Sequence, residues 1–195
     1  MQPAIALVEF DSIAIGVRAG DAMVKRAPVE VTYAGTVHPG KYLVLVGGDV
    51  ASVEESYGAG LAVGGDTVID SIFLPSAHPD IARYLRGMRG RVTGEAVGIV
   101  ETRTVAATLG AADRGLKGAD VDLVELKLAD RLGGKAYCVF SGSVADAQAA
   151  VEIAVAKLAD PSSLVAQVVI PDFHEEMLAN LEAATEFGAR ISGRG

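Results

Sequence analysis

Few side chains in this chain are of the types that do chemistry, and the way they are spaced is more informative than any one of them. There are three histidines, His38, His78 and His174, one cysteine, Cys138, and two carboxylates, Glu9 and Glu101, that close short apolar runs. Paired carboxylates can move protons, and imidazoles can move protons or hold a metal. Here, though, the groups recur along the chain and do not cluster in it. Glu9 in AIALVEF returns as Glu101 in AVGIVET, 92 positions on, and Pro75/His78 of LPSAHPD return as Pro171/His174 of IPDFHEE, 96 positions on. One carboxylate per copy at a strand end reads as a repeated hydrogen-bonding solution, and one histidine per copy at a helix start reads as a packing or edge role. His38 differs. It lies in a turn beside Pro39 and Gly40, and its counterpart is Leu132, followed by Gly133 and Gly134.

The elements that must position these groups are themselves written twice. Lys41 of GKYLVLVGG returns as Lys135 of GKAYCVFSG, 94 positions on. The offset grows by two on two occasions, so the second copy carries two short insertions. A fixed order of matching elements is the mark of a duplicated and fused unit. The expected division is a first domain over 1–88, a linker over 89–94 inside the basic, glycine-rich stretch Arg86–Gly94, and a second domain over 95–195.

Each copy reads as strand, helix, strand, strand, helix, strand, helix. Ala4–Phe10 is an apolar run suited to a buried strand, and Ser12 is placed to cap the next helix. Ile13, Val17, Gly20, Val24 and Ala27 fall at alternating four- and three-residue steps, which predicts one buried stripe. The second copy puts Val105, Leu109, Ala112, Leu116 and Ala119 in the same places. The pairs Asp21/Lys25 and Asp113/Lys117 occupy another face at favourable four-residue spacing.

Strands are expected at Val29–Tyr33 and Lys41–Val46, then at Val121–Leu126 and Lys135–Phe140. Asp49 and Ser143 are expected to cap helices bearing Val50, Val53, Tyr57 and Leu61, and Val144, Ala147, Val151 and Val155. Gly64/Gly65 and Asp160/Pro161 should end them, before last strands at Ile69–Leu74 and Leu164–Ile170 and short terminal helices. Helices mixed with hairpin-linked strands give an α+β arrangement, an antiparallel sheet flanked by helices in each copy. The tail Gly188–Gly195 is expected to fray.

Composition narrows the partners. Half the residues are hydrophobic while aromatics make up only 5%, so small aliphatic residues must build the core. A mean hydropathy of +0.35 in such small units points to faces hidden by self-association. A net charge of −8 without a basic stripe argues against nucleic acid. The N-terminus lacks the pattern of a secretory signal and no apolar run reaches membrane-spanning length, so no membrane partner and a cytoplasmic location are expected. A single cysteine fits a reducing compartment. No GxSxG, HExxH, CxxC or GxxxxGK[ST] run occurs, and the chain is not expected to be an enzyme. Gly47/Gly48 between a strand and a helix suggest a phosphate site only faintly, because Asp49 would set a negative charge at the helix start.

Taken in order, VE…GDAMVKRA.VEV…GKYLVLVGGDVASVE…LP..H and its second copy VET…AADRGLKGADVDL…GGKAYCVFSGSVADAQ…IP..H resemble the bacterial microcompartment shell domain. The resemblance covers nearly all of Ala4–Leu181. It is closest to the non-permuted tandem type of propanediol-utilisation shells. It implies a homotrimer in which six domains mimic a hexagonal tile, packed edge to edge with other shell proteins, with a central pore for small metabolites. The implied pore turns are His38-Pro39-Gly40 and Leu132-Gly133-Gly134. The implied tile-edge residues are Lys25, Lys117, His78 and His174. Single-domain relatives have an Arg two before that His, where Ser76 and Asp172 stand in this chain.

Relatives that carry an iron–sulfur cluster hold it through a Cys at the position of His38. That substitution leaves several readings of His38 open: pore lining alone, a three-histidine metal site or cluster on the three-fold axis that conducts electrons across the shell, a pH-sensitive anion collar, or a solvated turn. A trimeric small-molecule sensor is the other class of function considered.

Overall fold

A computed structural model of the chain describes residues 4–183, apart from the side chains of Val31 and Thr32; the expected fraying at Gly188–Gly195 falls outside them. The first half runs β1 (Ala4–Phe10), α1 (Ile13–Arg26), β2 (Val31–Val37), β3 (Lys41–Gly48), α2 (Val50–Gly64), β4 (Val68–Leu74) and α3 (Pro79–Leu85). The second half repeats the order with β5 (Ala96–Thr102), α4 (Val105–Gly118), β6 (Asp122–Leu128), β7 (Ala136–Gly142), α5 (Val144–Ala156), β8 (Leu164–Pro171) and α6 (Glu175–Ala183). Each half folds as one antiparallel sheet, ordered β2-β3-β1-β4 and β6-β7-β5-β8.

Local chemistry sets the helix starts. Ser12, Asp49, Thr104 and Ser143 sit in extended backbone, and their side-chain oxygens accept the N–H three residues on, which satisfies one otherwise orphaned donor each. Gly65, with φ of 50°, closes α2. The helix α5 ends earlier than expected, at Ala156, and the segment before Asp160 is irregular. The strand β2 starts later than Val29 and runs to Val37, because pairing with β3 continues until Val37 meets Lys41 across the turn.

The helices α1 and α2 cover one face of the first sheet, where Phe10, Met23, Val44, Val46 and Val53 pack together. Contact between the two helices depends on small residues. A β-carbon on Gly60 would sit 2.6 Å from the Met23 sulfur, and Ser56 Oγ donates 3.0 Å to the Met23 carbonyl. The buried side of α2 is therefore Val53, Ser56, Gly60 and Gly64, while Tyr57 and Leu61 are half-buried and Val50 is exposed. In α5 the buried residues are Ala147, Ala150, Val151 and Ala154, and Val144 is exposed.

The predicted stripes of α1 and α4 end differently. In α4, Val105, Ala106, Leu109, Ala112 and Leu116 are all buried in the large core shared by both halves. In α1, Ile13, Val17 and Val24 are 43%, 50% and 43% exposed, and the buried residues are Gly16, Ala19 and Met23. The reason is position. The helix α4 lies between its own sheet and β4 of the first half, with Ile72 so close that a β-carbon on Gly110 would lie 2.7 Å from its Cδ1. Among the described residues of a single chain, α1 has no such neighbour.

The glycine-rich connection is held in place by the second half. Gly90 N–H donates 2.9 Å to the Val124 carbonyl of edge strand β6, and the N–H groups of Thr93 and Gly94 both donate to Ser141 Oγ, at 3.0 and 2.9 Å. Thr93 Oγ1 bonds Asp122, Arg89 pairs with Glu125, and the Tyr84 hydroxyl of α3 donates to the Leu123 carbonyl.

Candidate functional site

The β2–β3 turn is tight: Gly40 N–H donates 2.9 Å to the Val37 carbonyl, the His38–Pro39 peptide is cis, and Gly40 has φ of 113°, a value natural to glycine. The β6–β7 turn is longer. It is closed by Ala129 N–H donating 3.0 Å to the Lys135 carbonyl, with Gly133 and Gly134 at φ of 63° and 80°. The fold brings the two turns together. A β-carbon on Gly134 would stand 3.4 Å from the His38 carbonyl oxygen and 3.3 Å from Lys41 Cε. His38, Pro39 and Gly40 are all exposed at this end of the seam.

Below the turns lies Glu9, fully buried at the end of β1. Its Oε1 accepts 2.8 Å from Ala106 N–H in the first turn of α4, and its Oε2 faces Lys41 Nζ at 3.4 Å. Burial pushes its pKa up; the Ala106 bond and the Lys41 charge oppose the rise, and the Asp70 charge adds to it. Glu101, the counterpart, pairs with Lys135 at 2.5 Å and is 31% exposed. Two polar clasps follow along the seam: Thr104 Oγ1 donates to Asp70, and Asp113 accepts from His78 N–H at 2.7 Å and from Lys117 Nζ at 2.6 Å. Sequence reasoning passed over Asp70 and Thr104. Asp70 has Ala166 as its register equivalent, so no repeat signal marked it.

The turn's donor set does not suit a thiolate-held cluster. Cys138 is fully buried in β7 with its thiol pushed up to about 12 by desolvation, and the turn itself offers His38 alone. Among the described residues no group of three or more His, Cys, Asp or Glu is placed to hold a metal within one chain. No described helix is long and apolar enough to cross a membrane.

The sequence profile of the BMC domain matches the chain twice, over residues 4–77 and 96–173, each time as one uninterrupted stretch. The chain belongs to the BMC-domain family. This tandem BMC protein is 41% identical over 177 residues to the bacterial microcompartment shell protein PduT of Citrobacter freundii, an alignment spanning 91% of this chain and 96% of that one. It is 27% identical over 197 residues to the carboxysome assembly protein CcmO of a Synechocystis strain, covering 93% of this chain and 65% of the relative. Among solved structures, a microcompartment protein from Desulfitobacterium hafniense superposes with a TM-score of 0.79 at 38% identity, over 91% of this chain and 98% of the other. The fused permuted hexameric shell protein MSM0275 of the RMM microcompartment shares the fold, with a TM-score of 0.58 at 20% identity over 80% and 84% of the two chains.

Within the tandem BMC protein, the residues matched to a tile edge occupy two environments. Lys25 is exposed and paired with Asp21 at 2.6 Å. Lys117 joins Asp113 to the Ser76 carbonyl of the first half, at 2.6 Å each, so the Asp113/Lys117 pair belongs to the seam and not to a separate face. His78 and His174 each cap a terminal helix. Their Nδ1 atoms accept from Asp80 N–H at 3.4 Å and Glu176 N–H at 3.3 Å. The recurring histidines thus have a structural task in both copies.

Proposed function

We propose that the protein is a structural tile of a microcompartment shell, in which three copies close head to tail around a pore. One observation carries this reading: the same helix stripe is covered in α4 and bare in α1. The seam inside the chain sets the apolar stripe of α4 on the β4 side of the preceding domain. The bare stripe of α1, with Ile13, Val17 and Val24, needs an equivalent surface, and β8 offers one with Val168, the counterpart of Ile72, 44% exposed. A contact between unlike surfaces repeats from copy to copy and gives a ring when its rotation closes. Three chains give six domains, the number the shell-domain resemblance implies.

In such a ring every seam brings together one short and one long turn. His38-Pro39-Gly40 and Leu132-Gly133-Gly134, three of each, surround the axis and line a passage for small polar metabolites. Fusion of two domains lets His38 occur three times there, which six identical domains would not allow. Lys25, Lys117, His78 and His174 lie toward the perimeter, where tiles meet other shell proteins. The role is scaffolding and passage, with no catalysis of its own, and the chain divides at 89–94 into its two shell domains. Sedimentation equilibrium of purified protein, followed by electron microscopy on concentration, tests the proposal. A trimer that forms sheets or tubes is expected. A stable monomer or dimer would overturn it, and a trimer that never assembles, even with partner shell proteins, would favour a sensor.

A further inference from the structure

We infer that residues 184–195 of one copy dock on the outer sheet face of the first domain of the next copy, with Ile191 seated in a groove along β2. The inference rests on the head-to-tail ring proposed above. Its basis is a filled and an unfilled version of the same groove. In the second domain, Val97, Val124 and Val139 on the sheet face away from α4 and α5 form a small core with Ile99, Tyr137, Phe173 and Leu181, and Val92 of the connection packs into it. The connection reaches that place from the end of α3, along edge strand β6.

In the first domain, Ile5 and Leu45 stand where Val97 and Val139 stand in the second. Ile5 and Leu45 are already only 4% and 6% exposed, so they form the floor of a groove whose open wall is Tyr33, 53% exposed, with Glu30, Gly47 and Leu85 beside it. Nothing in the described chain fills the groove as Val92 fills its twin.

The sequence supplies a matching segment. Arg91-Val92-Thr93-Gly94 recurs as Arg190-Ile191-Ser192-Gly193, a β-branched apolar residue between Arg and a hydroxyl residue followed by Gly. Val92 lies seven residues beyond Leu85 of α3, and Ile191 lies ten beyond Leu181, the counterpart of Leu85 in α6, so the tail has three more residues in which to reach the groove. Inside the chain α3 abuts β6 of the following domain, with Tyr84 bonded to Leu123. The ring sets α6 against β2 of the next copy in the same way, so the tail continues along β2 as the connection continues along β6. The groove carries both signs of charge, Glu30 and Arg86, so charge does not select the tail and its apolar residue must do so. One fastening is lost. Glu182 accepts the Val92 N–H at 2.9 Å, and its counterpart is Arg86, which cannot accept. The tail is therefore held mainly by its side chains, and it releases more readily than the connection.

The test is a disulfide. In a chain carrying Cys138→Ala, the pair Tyr33→Cys and Ile191→Cys should give two- and three-chain species on non-reducing gels after mild oxidation. Either cysteine alone should give none. A single-chain product would overturn the inference, whether it carries an internal disulfide because the tail reaches its own first domain or no disulfide because Met1–Pro3, which precede β1 as Thr93–Glu95 precede β5, fill the groove. Sedimentation of the parent protein is run alongside. A trimer without cross-linking would sink the tail and spare the ring, and a parent that is no trimer would sink both. Independently, Ile191→Asp should weaken trimer association about tenfold or more, as expected for a lost buried aliphatic group, and Ile191→Val should restore it. Equal association constants for Ile191→Asp and the parent would also overturn the inference.

Discussion

The carboxylate of Glu9 accepts a hydrogen bond from the backbone N–H of Ala106, 2.8 Å away and 97 residues further along the chain. It closes the first turn of a helix in the other domain, so a side chain of one repeat acts as a cap for its sister. Glu9→Ala removes the acceptor, orphans the Ala106 donor and leaves Lys41 without its buried partner. A loss of about 2–4 kcal/mol in unfolding free energy is expected, measurable by urea titration.

The same group should make stability depend on pH in a definite direction. Its folded pKa lies above the ordinary glutamate value, so between the two the folded chain holds a proton that the unfolded chain has released. Stability contributed by that proton is complete below the ordinary value and is lost as pH rises through the raised one. Glu9→Gln should flatten this fall. Melting temperatures of both proteins from pH 4 to pH 8 check it, and parallel curves would rule the account out.

Val17 and Leu109 hold the same place in α1 and α4, yet one is half exposed and the other fully buried. Leu109→Ala should cost about 2–5 kcal/mol of folding free energy, as core truncations do. Val17→Asp should leave the fold of the single chain within about 0.5 kcal/mol and abolish the trimer. Circular dichroism melts and sedimentation velocity separate the two effects.

Lys25 and Lys117 should also part company. Lys25 is an exposed partner of Asp21, so Lys25→Ala is expected to impair tiling while leaving melting behaviour unchanged. Lys117 ties Asp113 to the Ser76 carbonyl across the seam, so Lys117→Ala should also lower unfolding free energy by about 1 kcal/mol. Calorimetry and electron microscopy of assembled sheets test the pair.

Among the described residues of the two turns, His38 is the one imidazole, with no thiol beside it. Untagged protein should therefore carry less than one metal ion per three chains by elemental analysis, and His38→Ala should not change that content. A stoichiometric ion that disappears with the substitution would make the axis a metal site.

How much of this could be read without coordinates depended on whether the cause was local. Ser12, Asp49 and Ser143 mark helix starts because a cap is a contact over three residues, and the turn at His38-Pro39-Gly40 is set by its own backbone preferences. The duplication is visible because each copy retained its own Glu, Lys and Pro/His markers. The helix stripes were also legible as stripes. Periodicity alone could not tell that Val17 would be bare and Leu109 buried, because that depends on which domain lies alongside. Nor could it show Asp70 reaching Thr104, or Ser56 and Gly60 serving as the face of α2 toward α1, where close approach of two helices favours small residues over large ones. The sequence by itself determined two copies of one α+β unit and their local elements, since these rest on neighbours along the chain. Only the tertiary structure decided which copy's surface is already covered, because burial comes from neighbours in space.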